Sequence, residues 1–127
     1  MLADQVNIFK LGAPLVQKVY IPLLKMQIPT ICVMNGHALA GGCIFALCHD
    51  VRIMQQQATV CLSEINIGLP LPRAYTEIVR AFAPAHLLNK LYFGEKIKSD
   101  EALAEKVADH LYTDRSQAWQ LVAAFRR

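Results

Sequence analysis

The stretch Gly36–Asp50, GHALAGGCIFALCHD, decides how this chain folds. Its run of small residues ends in the pair Gly41-Gly42, and an apolar segment follows at once. We therefore predict a short, fully buried helix over Gly41–Cys48. The residues alone leave two roles open for the glycine pair. It could let two elements pack closely, or it could leave backbone N–H groups free to stabilise an anion or a developing oxyanion.

Upstream of this stretch, the segment TICVMNG from Thr30 is β-branched and apolar on both faces, which predicts a buried strand. The dipeptide Asn35-Gly36 ends the strand with a turn signal. Residues 1–28 are predicted to form an N-terminal helix with Asp4 as its cap. Two prolines, Pro14 and Pro22, should break or kink this helix because each lacks a backbone N–H.

Downstream, the pattern predicts strands over 51–55 and 59–65 and then a loop over 66–72. Residues 29–71 thus form the predicted core, and residues 72–127 form a helical part. In that part we expect helices over 73–82 and 84–94, the second closed by Gly94, and a helix capped by Ser99. A short strand over 109–113 and a last helix from 116 follow. This order of elements belongs to the α/β class.

Composition excludes several classes of protein. The 127 residues suffice for one small domain, and 54% apolar against 18% charged residues excludes a disordered chain. The net charge of +3 is spread along the chain, so the sequence offers no nucleic-acid face. We expect no membrane span, because the apolar run over 21–34 is broken by Pro22, Lys25, Gln27 and Pro29.

The cysteines and histidines predict no metal site. Cys32, Cys43, Cys48 and Cys61 lie in apolar segments and form no C-x-x-C pair, so we expect thiols in the core of an intracellular protein in a reducing compartment. The histidines show no metal-ligand spacing. The pair His49-Asp50 is better interpreted as the capped end of a helix than as half of a triad.

Glu64 is the first candidate for chemistry. It stands in VCLSEINIGLPLP, with no other charged residue between Arg52 and Arg73. An isolated carboxyl in an apolar segment is costly to bury ionised, so its pKa should rise, and such a group can act as a general base near neutral pH. The alternative is a carboxylate at the end of a strand that faces water or accepts hydrogen bonds from backbone amides.

The segments IPTICVMNGHALAGGCIFALCHDVRIM and SEINIGLPLP together resemble the crotonase superfamily of enoyl-CoA hydratases and isomerases. The resemblance covers about Pro29 to Tyr112. It includes the helix that ends in Gly94, and it is closest to plant-type Δ3,Δ2-enoyl-CoA isomerases. It implies a partial crotonase-like ββα spiral core followed by amphipathic helices. It also implies an acyl-CoA substrate and no separate cofactor, since the substrate itself carries coenzyme A.

The resemblance assigns roles to individual residues. A backbone N–H at the position of Gly41 helps to hold the thioester oxygen of the acyl-CoA. Hydratases of the family use two glutamates; the first position is Ile44 here, and the second is Glu64. One carboxylate suffices to move a double bond from position 3 to position 2, so the resemblance implies an isomerase. It further suggests that Ser63, His37 and the run from Leu69 to Leu71 line the acyl pocket.

Family members are about twice as long as this chain. We therefore expect other protein chains to complete the fold, as a homo- or hetero-oligomer. The alternative is a catalytically silent, crotonase-derived subunit of a larger assembly, and a crotonase of another reaction type, such as a hydrolase or a dehalogenase, also stays open. Fatty-acid β-oxidation in a mitochondrion or peroxisome is the expected setting.

Overall fold

A computed structural model of the chain describes residues 10 and 12–126. The predicted cap Asp4 lies outside these residues. Helical structure runs through residue 24, with a π-helical segment, Val16–Tyr20, followed by α1, Ile21–Leu24. Pro22 lies in the first turn of α1, where a missing N–H costs least. Helical structure continues through both Pro14 and Pro22, so the predicted break does not occur. A wider, π-helical turn lies between the two prolines, and in it the N–H of Ile21 donates to the oxygen of Val16.

In the part of the chain that the structure describes, six strands form two three-stranded sheets. The first sheet has the order β1-β3-β6 and is parallel throughout. The second has the order β2-β4-β5, with β2 and β4 parallel and β5 antiparallel to β4. The bounds are β1 Ile31–Met34, β2 Ala38–Leu39, β3 Val51–Gln55, β4 Thr59–Cys61, β5 Ile97–Lys98 and β6 His110–Tyr112.

Within residues 12–126, five further α-helices and two 3-10 turns connect and cover the sheets. The α-helices are α2 Gly41–Leu47, α3 Arg73–Phe82, α4 Leu88–Tyr92, α5 Ser99–Ala104 and α6 Arg115–Ala124. The 3-10 turns are Ile65–Ile67, which follows Glu64, and Ala85–Leu87, which leads into α4. The mixed α/β order predicted from the sequence is therefore present.

Three local features differ from what the sequence analysis predicted. The strand predicted over 59–65 ends at Cys61, because the chain turns there instead of continuing to pair. Ser99 is the first residue of α5 and not its cap; its buried hydroxyl accepts a hydrogen bond from the N–H of Gln57 at 3.3 Å. The two-residue strands β2 and β5 were not predicted.

The main hydrophobic core surrounds α2, where Cys43, Ile44, Ala46 and Leu47 are buried. A second, smaller cluster lies between the first sheet and α6. One backbone bond positions the site: the N–H of Ala40 donates to the oxygen of Cys61 at 2.8 Å. It places the first residue of α2 beside the end of β4, from which the chain continues to Glu64.

Candidate active site around Glu64 and Gly41

Glu64 stands on a tight turn. After β4 the chain enters the 3-10 helix Ile65–Ile67, with Glu64 as the residue before it and Gly68 in the left-handed region at φ 71°. The backbone oxygen of Glu64 accepts hydrogen bonds from the N–H groups of Ile67 (3.2 Å) and Leu69 (3.0 Å). The turn closes on itself, so the backbone beneath the carboxyl group is held by its own hydrogen bonds.

The carboxyl group of Glu64 is half-buried and lacks a full set of partners. Its Oε2 atom is the one buried side-chain oxygen or nitrogen, among the residues that the structure describes, without a hydrogen-bond partner. Burial raises the pKa of this carboxyl, and a smaller effect of its own backbone N–H opposes the rise. A structural carboxylate would normally be hydrogen-bonded. This geometry favours the general-base interpretation over a carboxylate that is satisfied by backbone amides.

The backbone beside Glu64 is strained at Ala40. This residue has φ 52° and ψ −124°, a conformation that costs a residue with a Cβ about 1–3 kcal/mol. Its oxygen accepts hydrogen bonds from the N–H groups of Cys43 (3.0 Å) and Ile44 (3.2 Å). The next N–H, that of Gly41, donates no backbone hydrogen bond within the described chain. It is therefore available as a donor. Nothing in the identity of an alanine signals a positive φ, so the sequence did not single out Ala40.

Glu64 and Gly41 line the same cavity, which has a volume of about 300 Å³. Among the described residues, Glu64 is the one charged side chain in its lining. The lining residues are Gly12, Leu15, Tyr20, Ala40, Gly41, Ser63, Glu64, Ile67, Leu69, Pro70, Pro72 and Tyr75. A carboxyl group, a free backbone N–H and an apolar wall in one cavity suit a substrate with a polar carbonyl and a hydrocarbon portion.

Two tyrosines that the sequence analysis missed form one wall of this cavity. The rings of Tyr20 and Tyr75 meet edge to face, with centroids 5.5 Å apart. The hydroxyl of Tyr20 donates to the oxygen of Gly41 at 3.1 Å, and that of Tyr75 donates to the oxygen of Gly12 at 3.4 Å. Burial raises the pKa of Tyr20 to about 12, so its hydroxyl stays protonated and keeps its role as a donor.

The other predicted pocket residues divide into three groups. Ser63 and Leu69 line the cavity with Glu64 and Gly41. Leu71 lines a smaller cavity of about 130 Å³ on the other side of Glu64, and Leu69 contributes to both. His37 is exposed and lines neither of them. The structure therefore does not bring His37 to the site.

Ile44 is fully buried in the main core and lines neither cavity that contains Glu64. The position of the first of the two family glutamates thus holds an apolar side chain packed away from the candidate site. Whatever acid–base chemistry this part of the chain supports depends on one carboxyl group.

The pair His49-Asp50 has a structural role. Asp50 Oδ2 accepts hydrogen bonds from the N–H of Thr30 at 2.7 Å and from its hydroxyl at 2.8 Å. These bonds hold the pKa of Asp50 below its ordinary value. His49 Nδ1 lies 2.8 Å from the oxygen of Phe45, one turn earlier. The pair joins the end of α2 to the start of β1 and lines neither cavity beside Glu64.

The four cysteines are free thiols. Burial raises the pKa of Cys43 to about 12 and that of Cys48 to about 11, so both thiols stay protonated. Residues 10 and 12–126 contain no cluster of three or more potential ligands among His, Cys, Asp and Glu that could hold a metal ion. The same residues form no helix long and apolar enough to cross a membrane.

A larger cavity, of about 530 Å³, lies where the carboxyl ends of β1, β3 and β6 meet the start of α6. Its polar lining includes Asn35, Gln55 and Arg115, and Trp119 contributes an exposed ring. The hydroxyl of Tyr112, also in the lining, already donates to the oxygen of Met34 at 3.2 Å. No carboxyl group of the residues that the structure describes lines this cavity, so acid–base chemistry points to the cavity beside Glu64.

Comparison with known proteins defines the class. Residues 9–118 match the family described as enoyl-CoA hydratase/isomerase, and the chain belongs to this family. Among solved structures, an enoyl-CoA hydratase from Thermoplasma volcanium GSS1 superimposes with a TM-score of 0.82. That match covers 98% of this chain and 51% of the other at 23% identity. The prediction of a partial crotonase-like fold is thereby confirmed.

Two relatives from Arabidopsis thaliana carry isomerase names. Enoyl-CoA delta isomerase 3 is 37% identical over 98 residues, which make up 75% of this chain and 41% of that protein. Enoyl-CoA delta isomerase 2, named as peroxisomal, is 36% identical over 107 residues, or 82% of this chain and 44% of that protein. The chain spans less than half the length of either relative. The predicted likeness to plant isomerases is confirmed.

Proposed function

We propose that this chain carries the acid–base half of an enoyl-CoA isomerase site, which shifts the double bond of a 3-enoyl-CoA to position 2. The observation that carries the proposal is Glu64, whose buried Oε2 atom lacks a hydrogen-bond partner. Its side chain lines one cavity together with Gly41, whose N–H donates no backbone hydrogen bond within the described chain. The isomerase names of the two Arabidopsis relatives support an isomerisation of an enoyl-CoA.

The proposed reaction needs one base. Ionised Glu64 takes a proton from C2 of the 3-enoyl-CoA, and the electron pair of that C–H bond spreads into a dienolate. The negative charge gathers on the thioester oxygen, to which the N–H of Gly41 donates. Glu64 then returns the proton to C4, which leaves the double bond between C2 and C3. The proton balance closes within the site, and the carboxyl is ready for another turnover.

The same residues argue against hydration as the main reaction. Adding water across a double bond uses a water molecule held between two carboxyl groups in the hydratases of this family. Here the position of the first carboxyl is the buried Ile44. The buried rings of Tyr20 and Tyr75 give the cavity an apolar wall, which favours chemistry that does not use water. We expect negligible production of 3-hydroxyacyl-CoA.

The proposed site needs a contribution from outside this chain. The described residues supply one oxyanion donor, Gly41, and loss of one such donor costs about 3–4 kcal/mol of transition-state stabilisation. The family resemblance places the second donor, and most contacts to the nucleotide of coenzyme A, in segments upstream of the matched part. We therefore propose an acyl-CoA substrate, no separate cofactor and further polypeptide that completes the site. A peroxisomal or mitochondrial location would fit such an enzyme.

The direct test replaces Glu64 by Gln in the assembly that contains this chain. Gln keeps the size of the side chain but cannot accept a proton at C2, so conversion of 3-enoyl-CoA to 2-enoyl-CoA should fall at least about 100-fold. Glu77→Gln, which neutralises an exposed carboxylate on α3, is the matched control and should retain activity. Turnover near that of the parent protein in the Glu64 variant would remove Glu64 from the mechanism.

A catalytically silent subunit is the second candidate, and the sheet edges favour it. In the described chain β1 and β2 are each paired on one side only, which leaves edges that another polypeptide can extend. The test is to purify the native complex, identify any companion chain in it and assay its isomerase activity. Turnover of 3-enoyl-CoA by the purified complex would support the active site, whereas a complex without that activity would favour the silent subunit.

A further inference from the structure

The end of α4 lies against the turn that carries Glu64. Gly94 closes the helix in the left-handed conformation, at φ 70°. Its N–H donates to the oxygen of Leu91 at 3.0 Å, and the N–H of Glu95 donates to the oxygen of Lys90 at 2.9 Å. This is the usual hydrogen-bond pattern of a helix that ends in glycine. It accounts for the glycine, but it leaves the carbonyl oxygen of Gly94 free to bond elsewhere.

That carbonyl oxygen accepts two side-chain hydrogen bonds from the segment around Glu64. The Nδ2 of Asn66 donates to it at 3.2 Å, and so does the Sγ of Cys61 at 3.2 Å. Cys61 is the last residue of β4, and Asn66 is in the middle of the 3-10 turn after Glu64. The two donors therefore flank the carboxyl group and attach both sides of its turn to the same acceptor.

The contact is also close in steric terms. A Cβ at position 94 would lie 2.7 Å from Cγ2 of Ile65 and 2.8 Å from Oδ1 of Asn66. The end of α4 thus lies so close to the turn that a side chain at position 94 would clash with it. Movement of the turn away from α4 would break the bond from Asn66.

We propose that Asn66 is a positioning residue, which holds the turn that carries Glu64 in place through the carbonyl oxygen of Gly94. This inference rests on the proposed function, since it assigns to Asn66 the task of keeping the base where C2 and C4 of the substrate are both in reach. Asn66 does not line either cavity that contains Glu64, so it acts through the turn and not on the substrate.

The test measures Glu64 itself, without substrate. In the assembly that contains this chain, the side-chain carboxyls of glutamate are labelled with ¹³C in this chain alone, and the resonance of Glu64 is assigned by its loss in Glu64→Gln. Asn66→Leu keeps the branched shape of the side chain and removes the donor; Asn66→Ala, which also removes the donor without adding volume, is the second variant. In both we expect the turn to open to water and the pKa of Glu64 to fall towards its ordinary value.

The other titratable groups near Glu64 are the same in the parent protein and in these variants. Those that interact with its charge are the hydroxyls of Tyr20 and Tyr75 and the thiols of Cys43 and Cys61. None is substituted, so a change in the titration of Glu64 reports the position of the turn. Asn89→Ala is the matched control: Asn89 is exposed on α4, and its backbone oxygen, not its side chain, accepts the N–H of Phe93.

Activity provides a second readout. Displacement of a base by about 1 Å costs about 100-fold in rate, so Asn66→Leu should lower kcat by about 10- to 100-fold while KM changes less than about twofold. A variant that melts at a lower temperature but titrates at Glu64 like the parent protein would overturn the inference, because Asn66 would then only stabilise the fold. If Glu64→Gln stays active, the proposed function fails, but the titration result on Asn66 stands independently.

Discussion

At the scale of single residues, burial of the Glu64 carboxyl lowers the stability of the folded protein when the group is ionised, and the ionised group is the one that can act as a base. Burial raises its pKa, so the folded protein binds this proton more tightly than the unfolded chain does. Between the ordinary pKa and the raised one, the folded state therefore holds more protons, and stability falls as the pH rises through that window. Above the raised pKa the destabilisation is fully present, and there the carboxylate is also ready to act as a base.

This sign yields a prediction for Glu64→Gln. The substitution removes the charge that is costly to bury, so it should raise the melting temperature at neutral pH and leave it unchanged at a pH below the ordinary value of the carboxyl. Thermal melts of the complete assembly across the pH range measure this. The control Glu77→Gln should leave the melting temperature unchanged at neutral pH and at low pH. A Glu64→Gln protein that is less stable than its parent at neutral pH would show that the carboxylate makes a favourable contact.

At the scale of elements, the burial of α2 decides what the Ile44 position can become. The helix has seven residues, and Ile44 is fully buried on its inner face. Ile44→Glu would place an unpaired carboxyl in the core, which destabilises a protein by about 3–5 kcal/mol. We expect a large loss of folded protein and no useful hydratase activity, since this side chain does not reach the cavity beside Glu64.

Chemical denaturation and an assay for hydration of 2-enoyl-CoA measure the two outcomes. Ile44→Leu is the control, and it should cost less than about 1.5 kcal/mol because volume and polarity are kept. A well-folded Ile44→Glu protein that produces 3-hydroxyacyl-CoA would contradict this account, and would show that α2 turns its inner face towards the cavity.

At the scale of the whole molecule, several large apolar side chains are exposed. Ile28, Ile67 and Phe93 are each about two thirds exposed or more, at 66%, 72% and 71%. Residues Ile31, Cys32 and Val33 of β1 are half-buried, and β1 is an edge strand. By contrast, α2 is mostly buried, although Gly42 and Phe45 are exposed, so the full burial predicted for this helix is not observed.

We predict from this distribution that the chain needs a partner that buries well over about 1,600 Å². Expressed alone, it should be insoluble or bind a hydrophobic dye. Sedimentation and dye fluorescence of the isolated chain measure this, and the same chain in its native complex is the control. A monomer that melts cooperatively and binds no dye would defeat the prediction and leave a minimal crotonase as the alternative.

Local sequence patterns were enough to predict the helices and strands whose own residues show a clear hydrophobic pattern. The helix Arg73–Phe82 and the strand Val51–Gln55 have their predicted bounds, because an amphipathic repeat or a short apolar run identifies each without reference to distant residues. The glycine that closes α4 was also predicted, since a helix end at Gly94 depends on residues close by in the chain. The isolation of Glu64 in an apolar segment was visible in the same way.

Tertiary structure alone decided the features that join distant parts of the chain. The strands β2 and β5 are two residues long and exist because both pair with Val60 in β4, which no local pattern indicates. The positive φ of Ala40 and the paired rings of Tyr20 and Tyr75 depend in the same way on contacts across the molecule. The sequence determines which reactive side chains are present, but the cavity that brings Glu64 and Gly41 together arises from pairing and packing between segments far apart in the chain.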